Sequence, residues 1–353
     1  MAEPILTERA LNRALLARQL LLERSTTSLT DALERVGGLQ TQYAPAGYIG
    51  LWTRLEGFER PMLTRALEER RAVQATMMRA TIHVVSAADY WPMTAGVRRV
   101  RREWFANVGR GAIAAQDMDA AAAAAREELA DGALRFTELS ERLVMRGFDS
   151  QAAKWVGMWL DLVRVPPYGT WERRRADLYG LAETWVPVPG PGDVTEGEGI
   201  ELLIRRYLGA FGPAALKDIA SWMGLNIGQM RHVADAMELR GFRDEGGKPL
   251  VDLPGAPLPD PETPAPVRFL PVWDASLLVH ARRTQILPEA HRPRIFSTKT
   301  PHSVNTFLVD GQVAGSWRFE EGRIELAPFE PLATADRDAL EKEAVGLAAL
   351  HAD

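Results

Sequence analysis

One pattern recurs three times along the chain, at intervals of roughly 80–100 residues. It consists of a helix, a short capped helix, a further helix in the second and third copies, and then two strands around a turn. In the first copy, residues 7–23 carry apolar positions at helical spacing (Leu11, Ala14, Leu15, Leu22). Ser28-Leu29-Thr30-Asp31 caps a second helix that runs to Val36. Residues 75–78 and 81–85 then predict a β-hairpin. The second copy begins in the Ala-rich stretch 119–130, a good helix former. It continues with a capped helix from Phe136, a helix over 151–162, and a strand pair, 163–165 with 178–182. The third copy predicts helices over 197–210, 213–223 and 226–239, followed by Gly241-Phe242. That order is the one found in winged-helix units, helix-turn-helix variants whose second helix usually contacts DNA.

The expected fold class is therefore α+β: three tandem winged-helix units over 1–118, 119–192 and 193–265, then a β-rich region over 266–353. In that last region residues 267–272 and 304–326 alternate as strands do, Asp310-Gly311 supplies a hairpin turn, and residues 333–352 form a closing helix.

At 353 residues the chain is long enough for several domains and a large core. The absence of cysteine excludes disulfides, Cys-ligated zinc, iron–sulfur centres and a thiol nucleophile. No basic region followed by an apolar one opens the chain, and no apolar run approaches the ~18 residues that span a bilayer, so a cytoplasmic protein is expected. The formal charge of −5 is not that of a whole-surface nucleic-acid binder. Arginines are clustered, however, at 98–102, 173–175, 205–206 and 282–283, with Arg292, Arg294 and Lys299 following. Such clusters read either as solvated helix faces paired with carboxylates or as a local basic face for DNA.

Familiar catalytic motifs are missing. The six histidines show no metal-ligand spacing, no phosphate-binding loop is present, and no nucleophile elbow appears. An enzyme of this sequence would use few protein acids and bases, and neither metal nor cofactor is expected. What does stand out is Gln40-Thr41-Gln42, preceded by Gly37-Gly38 and followed by Pro45. The glycines and the proline end the helix there. In an extended segment residues two apart share a face, so both amides can hold one small molecule, such as a water. Taken alone, the pair also fits a solvated helix end.

The surroundings add to this. Gln40-Thr41-Gln42 resembles the Gln-x-Gln motif of the AlkZ-type DNA glycosylases, winged-helix proteins that excise alkylated bases. Arg79-Ala80-Thr81-Ile82-His83-Val84-Val85 is similar to that family's R-x-T-x-H-x-V segment. Phe211-Gly212-Pro213-Ala214 with Asp218 to Leu225 resembles its F-G-P-A…D-x-A-x-W-x-G-L segment. Leu270-Pro271-Val272-Trp273-Asp274 with residues 277–283, and Phe307 to Gly311 with Gly315 to Arg318, resemble its two closing blocks. The matches run in family order over nearly the whole chain. One position departs: Arg282 stands where the family pattern has Asp.

The resemblance implies a monofunctional glycosylase, acting as a monomer on double-stranded DNA that carries an alkylated or crosslinked purine, with Gln40 and Gln42 catalytic. It implies DNA contacts by Arg79, His83 and Arg283, and by a hairpin carrying Arg294, Lys299 and His302 that probes the minor groove. Arg79 reads as an ion pair or a phosphate contact, and His83, in an apolar run, also as a hydrogen-bonded core residue. Relatives with Gln-x-Asp process simple alkylpurines, so Gln42 implies labile substrates: bulky N7-guanine adducts or interstrand crosslinks. Self-resistance in an antibiotic-producing bacterium and association with the nucleoid are further implications. The alternatives are a winged-helix transcription regulator without catalysis and a protein-interaction scaffold.

Overall fold

The computed structural model describes residues 3–108, 115–190, 194–278, 281, 283–296 and 303–352. The chain opens with β1 (Ile5–Leu6) and α1 (Glu8–Arg18), then α2 (Leu29–Val36), β2 (Leu39–Gln40), α3 (Pro45–Trp52), α4 (Arg60–Glu68), β3 (Ala72–Thr76), β4 (Ile82–Ser86) and α5 (Ala87–Val108). The middle part holds α6 (Ala115–Glu128), β5 (Leu134–Arg135), α7 (Phe136–Met145), α8 (Ser150–Trp155), β6 (Leu162–Arg164), β7 (Leu178–Leu181) and α9 (Ala182–Trp185). There follow α10 (Glu196–Phe211), α11 (Leu216–Met223), α12 (Ile227–Ala236), β8 (Arg240–Asp244) and β9 (Pro249–Asp252). The C-terminal part consists of β10 (Arg268–Leu270), α13 (Arg292–Ile295), β11 (Thr306–Val309), β12 (Gln312–Glu320), β13 (Arg323–Pro328) and α14 (Thr334–Ala352). This is a mixed helix and sheet fold.

The strands form three sheets. The hairpins β3–β4 and β6–β7 do not stand apart: Gln74 pairs with Arg164 and Ala75 with Val163, giving one six-stranded sheet in the order β2-β4-β3-β6-β7-β5. The hairpin β8–β9 is extended by β1, which pairs parallel with β8. The β1 segment thereby packs with the hairpin that follows α12. A bidentate ion pair reinforces this, Arg18 to Asp252 at 2.7 Å for both bonds with both side chains buried. The third sheet is an antiparallel meander, β10-β11-β12-β13, against which α14 packs.

Local chemistry sets the helix ends. The Thr7 and Ser28 hydroxyls cap α1 and α2, and Thr195 with Glu198, and Asn226 with Gln229, form reciprocal capping boxes at α10 and α12. α5 and α10 meet through glycine: a Cβ on Gly96 would lie 2.8 Å from the Gly199 carbonyl carbon, and one on Gly199 would lie 2.5 Å from the Gly96 nitrogen. The close approach seats Tyr90, Met93 and Val97 of α5 and Ile200, Leu203 and Tyr207 of α10 in the largest core. Gly96→Ala is expected to force the helices apart and cost about 1–3 kcal/mol, read as a lower denaturant midpoint at unchanged m-value. An unchanged midpoint would show that the crossing is not constrained there.

A candidate active site beside an aromatic cleft

α2 ends on two glycines in left-handed conformation, Gly37 at φ 77° and Gly38 at φ 78°, with the Gly38 amide donating back to the Leu33 carbonyl at 2.8 Å. This helix end leads directly into β2. A side chain at Gly38 would meet Val85 Cγ1 at 2.9 Å, so the chain can reach the sheet only as glycine. Gln40 then pairs with His83 on β4, and the Thr41 amide donates to the Ile82 carbonyl at 2.8 Å. The Thr41 hydroxyl is buried and accepts from Gln74 Nε2 at 3.0 Å. The segment is extended here, as the Gln-x-Gln spacing requires.

Each catalytic candidate is held by its side-chain oxygen. Gln40, only 8% exposed, accepts at Oε1 from Arg79 Nη2 at 3.0 Å. Gln42 is exposed and accepts at Oε1 from the Ile82 amide at 3.2 Å. An amide oxygen has two lone pairs, so each keeps one acceptor position. Arg79 and Ala80 lie in the turn between β3 and β4 with φ of 53° and 57°, a region non-glycine residues rarely occupy. That turn aims the Arg79 guanidinium inward, where Nη1 donates to the Trp222 carbonyl at 2.9 Å, at the end of α11. Burial, with a smaller contribution from Arg283, brings the Arg79 pKa down to about 10. Arg79 remains a cation at neutral pH. Of the two expectations for Arg79, an ion pair is not found among the described residues: its two bonded N–H groups point at protein oxygens, one of them that of Gln40.

Two other residues expected at the DNA are buried in the protein instead. His83 is 2% exposed, with Nδ1 against the Thr81 carbonyl at 3.0 Å, and burial next to Arg79 lowers its pKa to about 3. It is a neutral core histidine. Arg283 is 6% exposed and donates to the Ala275 and Ser276 carbonyls at 3.0 and 3.1 Å and to the Tyr207 hydroxyl at 3.2 Å. It braces the interior. Arg294, on α13, is exposed and stacks on Phe329; Lys299, His302 and Arg282 lie outside the described residues. Among the other arginines, Arg98 and Arg101 both bind Asp161, and Arg99 binds Glu103 and Glu196. Burial pushes the Asp161 pKa up, but Arg101 and Arg98 outweigh it and hold that carboxyl below its usual range. Arg205 and Arg206 pair with Glu201, Glu34 and Asp89.

Gln42 stands at the edge of a cleft of about 400 Å³ lined by residues of the first half of the chain, from Gln42 to Tyr179. Trp104 of α5, Phe136, Trp155 and Tyr179 form its aromatic walls, with Lys154 and Arg164 among its lining. The described lining contains no Asp or Glu, and no group of three or more potential metal ligands occurs among the described residues. Trp104, Trp155 and Tyr179 are not evident from the sequence. Nothing in the local pattern marks them, because the cleft joins elements far apart in the chain.

Fold and site together define a mixed α+β protein with a pair of neutral amides, one held by a half-buried guanidinium, beside an aromatic cleft. The chain belongs to the DNA glycosylase AlkZ-like family, whose model matches residues 33–350. It is thus a DNA glycosylase, an enzyme of DNA repair. A curated relative, an interstrand DNA cross-link repair glycosylase of Streptomyces sahachiroi, is 23% identical over 94% of this chain and 93% of its own. The solved structure of the Streptomyces sahachiroi DNA glycosylase AlkZ superposes with a TM-score of 0.81, at 20% identity, covering 98% of this chain and 96% of that one. Membership sets aside the non-catalytic regulator and the scaffold. No helix among the described residues is long and apolar enough to cross a membrane.

The buried His83 gives a test of the packing around the site. Its folded pKa is depressed, so the unfolded chain takes up the proton first, and stability is lost as pH falls below about 6.5. His83→Gln lacks that term. Its stability relative to wild type should therefore improve by about 2 kcal/mol between pH 7 and pH 5, measured by urea denaturation. A pH-independent difference would mean that His83 is accessible to protons.

Proposed function

We propose that the protein is a monofunctional glycosylase that hydrolyses the N-glycosidic bond of N7- or N3-alkylated purines, with bulky N7-guanine adducts and interstrand crosslinks as its natural substrates. The observation that carries this reading is the pair of amide oxygens, Gln40 fixed by Arg79 and Gln42 by the Ile82 amide, with Gln42 at the edge of a cleft whose described lining holds no carboxylate. Alkylation leaves the purine cationic, so the base departs without being protonated and no strong general acid is needed. The remaining requirement is a water beside C1′, held while positive charge builds on the sugar. The free lone pairs of the two oxygens accept hydrogen bonds from that water, and their fixed dipoles stabilise the developing cation. A glutamine cannot ionise, so the water is positioned rather than deprotonated. Because Arg79 occupies one lone pair of Gln40, the orientation of that amide is set before substrate arrives.

In this reading the three repeats are tandem winged-helix units acting on double-stranded DNA as a monomer. The exposed Arg294 and its neighbours Lys299 and His302 touch DNA beside the lesion. A bulky or crosslinked base cannot be flipped into a closed pocket, the usual glycosylase route. The open cleft suits such a lesion, and self-resistance to a genotoxic product made by the cell is a role consistent with it.

Single-turnover excision of N7-methylguanine from duplex tests the assignment. Gln40→Ala and Gln42→Ala should each slow it at least ~10-fold, about 1.4 kcal/mol, with the double variant losing less than the product of the singles. Arg79→Ala should slow wild type similarly, but cost little once Gln40 is already Ala. Wild-type rates in both glutamine variants, or full additivity of Arg79 and Gln40, would remove the amides or their support from the mechanism.

A further inference from the structure

Gln42 is the less supported of the two amides. Its side chain is exposed and held by a single bond from the Ile82 amide, whereas Gln40 is enclosed and held by Arg79. The orientation of Gln42 therefore depends on the backbone to either side of it. Thr41, before it, is buried and fixed at backbone, methyl and hydroxyl alike. Its amide donates to the Ile82 carbonyl at 2.8 Å, and a Cβ on Gly47 would come within 2.8 Å of its methyl. Its hydroxyl accepts from Gln74 Nε2 at 3.0 Å. Gln74, on β3, is itself buried, and its Nε2 also reaches the Gly169 carbonyl at 3.5 Å. Its Oε1 is buried with no hydrogen-bond partner in the protein. An amide oxygen left unpaired costs stability, so its presence calls for a reason other than folding. Gly169 has φ 79°, and a Cβ there would collide with that same oxygen. The backbone at Gly169 thus closes over the Gln74 amide.

Gly169 belongs to the loop between β6 and β7. Thr170 stiffens that loop, its hydroxyl donating to the Pro167 carbonyl at 2.7 Å and accepting from the Arg173 amide at 3.3 Å. Trp171 anchors it, buried and edge to face with Tyr48 of α3. Arg174 then reaches the other neighbour of Gln42: its Nη1 donates to the Tyr43 hydroxyl at 2.9 Å. We infer that the β6–β7 loop is a brace for Gln42, with Gln74 and Arg174 as positioning residues that fix the backbone at Thr41 and at Tyr43. The inference rests on the glycosylase reading of Gln40 and Gln42. A misplacement of about 1 Å at a reacting group can cost ~100-fold in rate. Gln42 has to stay open, because the sugar and its water approach there, so its support comes from the residues before and after it. Gln74 keeps its donor on Thr41 and leaves its own acceptor unpaired, which serves the position of Thr41 and not the stability of the core. One arginine of the 173–175 cluster likewise serves the catalytic segment.

The test uses the full-length protein and three readouts. They are single-turnover release of N7-methylguanine, binding to a duplex with that lesion on a 2′-fluoro sugar, which resists hydrolysis, and hydrogen exchange of the amides of residues 39–43. Thr41→Val removes the hydroxyl and keeps the methyl, whereas Thr41→Ser keeps the hydroxyl and removes the methyl. The brace predicts release slowed ~5–10-fold in Thr41→Val and restored towards wild type in Thr41→Ser, with binding unchanged in both. Packing alone predicts the opposite order. Gln74→Met should slow release by a similar factor without lowering the urea midpoint, since an unpaired oxygen leaves the interior. Its effect should shrink to less than ~2-fold once Gln42 is Ala. Tyr43→Phe, which removes the hydroxyl that Arg174 meets, should slow release in the same direction but less. Amide exchange over 39–43 should rise in Thr41→Val and Gln74→Met at unchanged global stability. Faster release by Thr41→Val than by Thr41→Ser, a Gln74 effect undiminished in the Gln42→Ala background, or unaltered exchange would each overturn the brace. Raised exchange together with wild-type release by Gln42→Ala, or with no base released by any form, would uphold the brace and overturn the catalytic reading of Gln42.

Discussion

The guanidinium of Arg79 ties together parts of the chain that are remote in sequence. One N–H group is bonded to the Trp222 carbonyl at the end of α11 and another to the side-chain oxygen of Gln40 at the edge of the six-stranded sheet. The last carbonyls of a helix lack intrahelical partners, and the negative end of the helix dipole favours a cation there. α11 thus secures Arg79, and Arg79 fixes an amide that could otherwise rotate. The left-handed backbone at Arg79 and Ala80 makes this reach possible. Such conformations cost about 1–3 kcal/mol each and persist where the surroundings over-determine them. Gly224, after α11, passes close by: a Cβ there would sit 3.5 Å from the Arg79 backbone.

The same economy governs the other charges. Most of the arginine clusters are spent on the protein's own carboxylates, as at Asp161, Glu196 and Asp89. Two interior pairs, Arg18 with Asp252 and Arg54 with Asp274, join α1 to β9 and the end of α3 to the segment after β10. Burying such pairs adds little net stability, whereas removing one partner strands a charge, so they act chiefly to fix the arrangement of neighbouring parts. A net charge of −5 is therefore compatible with a DNA-directed enzyme whose surface cations are few and local.

Much of this architecture was legible from local chemistry. The helices α10 to α12, the hairpins β3–β4 and β6–β7, the meander after Val304 and the closing helix all announce themselves through periodicity and turn residues. α3 did not, because Pro45–Trp52 is buried almost all round and shows no polar face to give it a period. α5 was hidden behind the strand it follows and carries a proline at position 92. The glutamine pair was visible as a motif, with its extended backbone deducible from Gly37, Gly38 and Pro45. Its support was not, since Arg79 is 39 residues from Gln40 and a lone arginine does not reveal which way it points. Arg283 was placed at the DNA, and His83 left between DNA and core, for the same reason: burial is a property of the assembled core.

The central claim is that two oriented neutral amides, without an ionising protein base, carry the hydrolytic step. The most direct measurement is the single-turnover rate of N7-methylguanine release as a function of pH. A flat profile between pH ~5 and ~8 is predicted, because the leaving base is already charged and glutamine does not titrate. A limb with an apparent pKa near ~4–6 would reveal a carboxylate base and contradict the account.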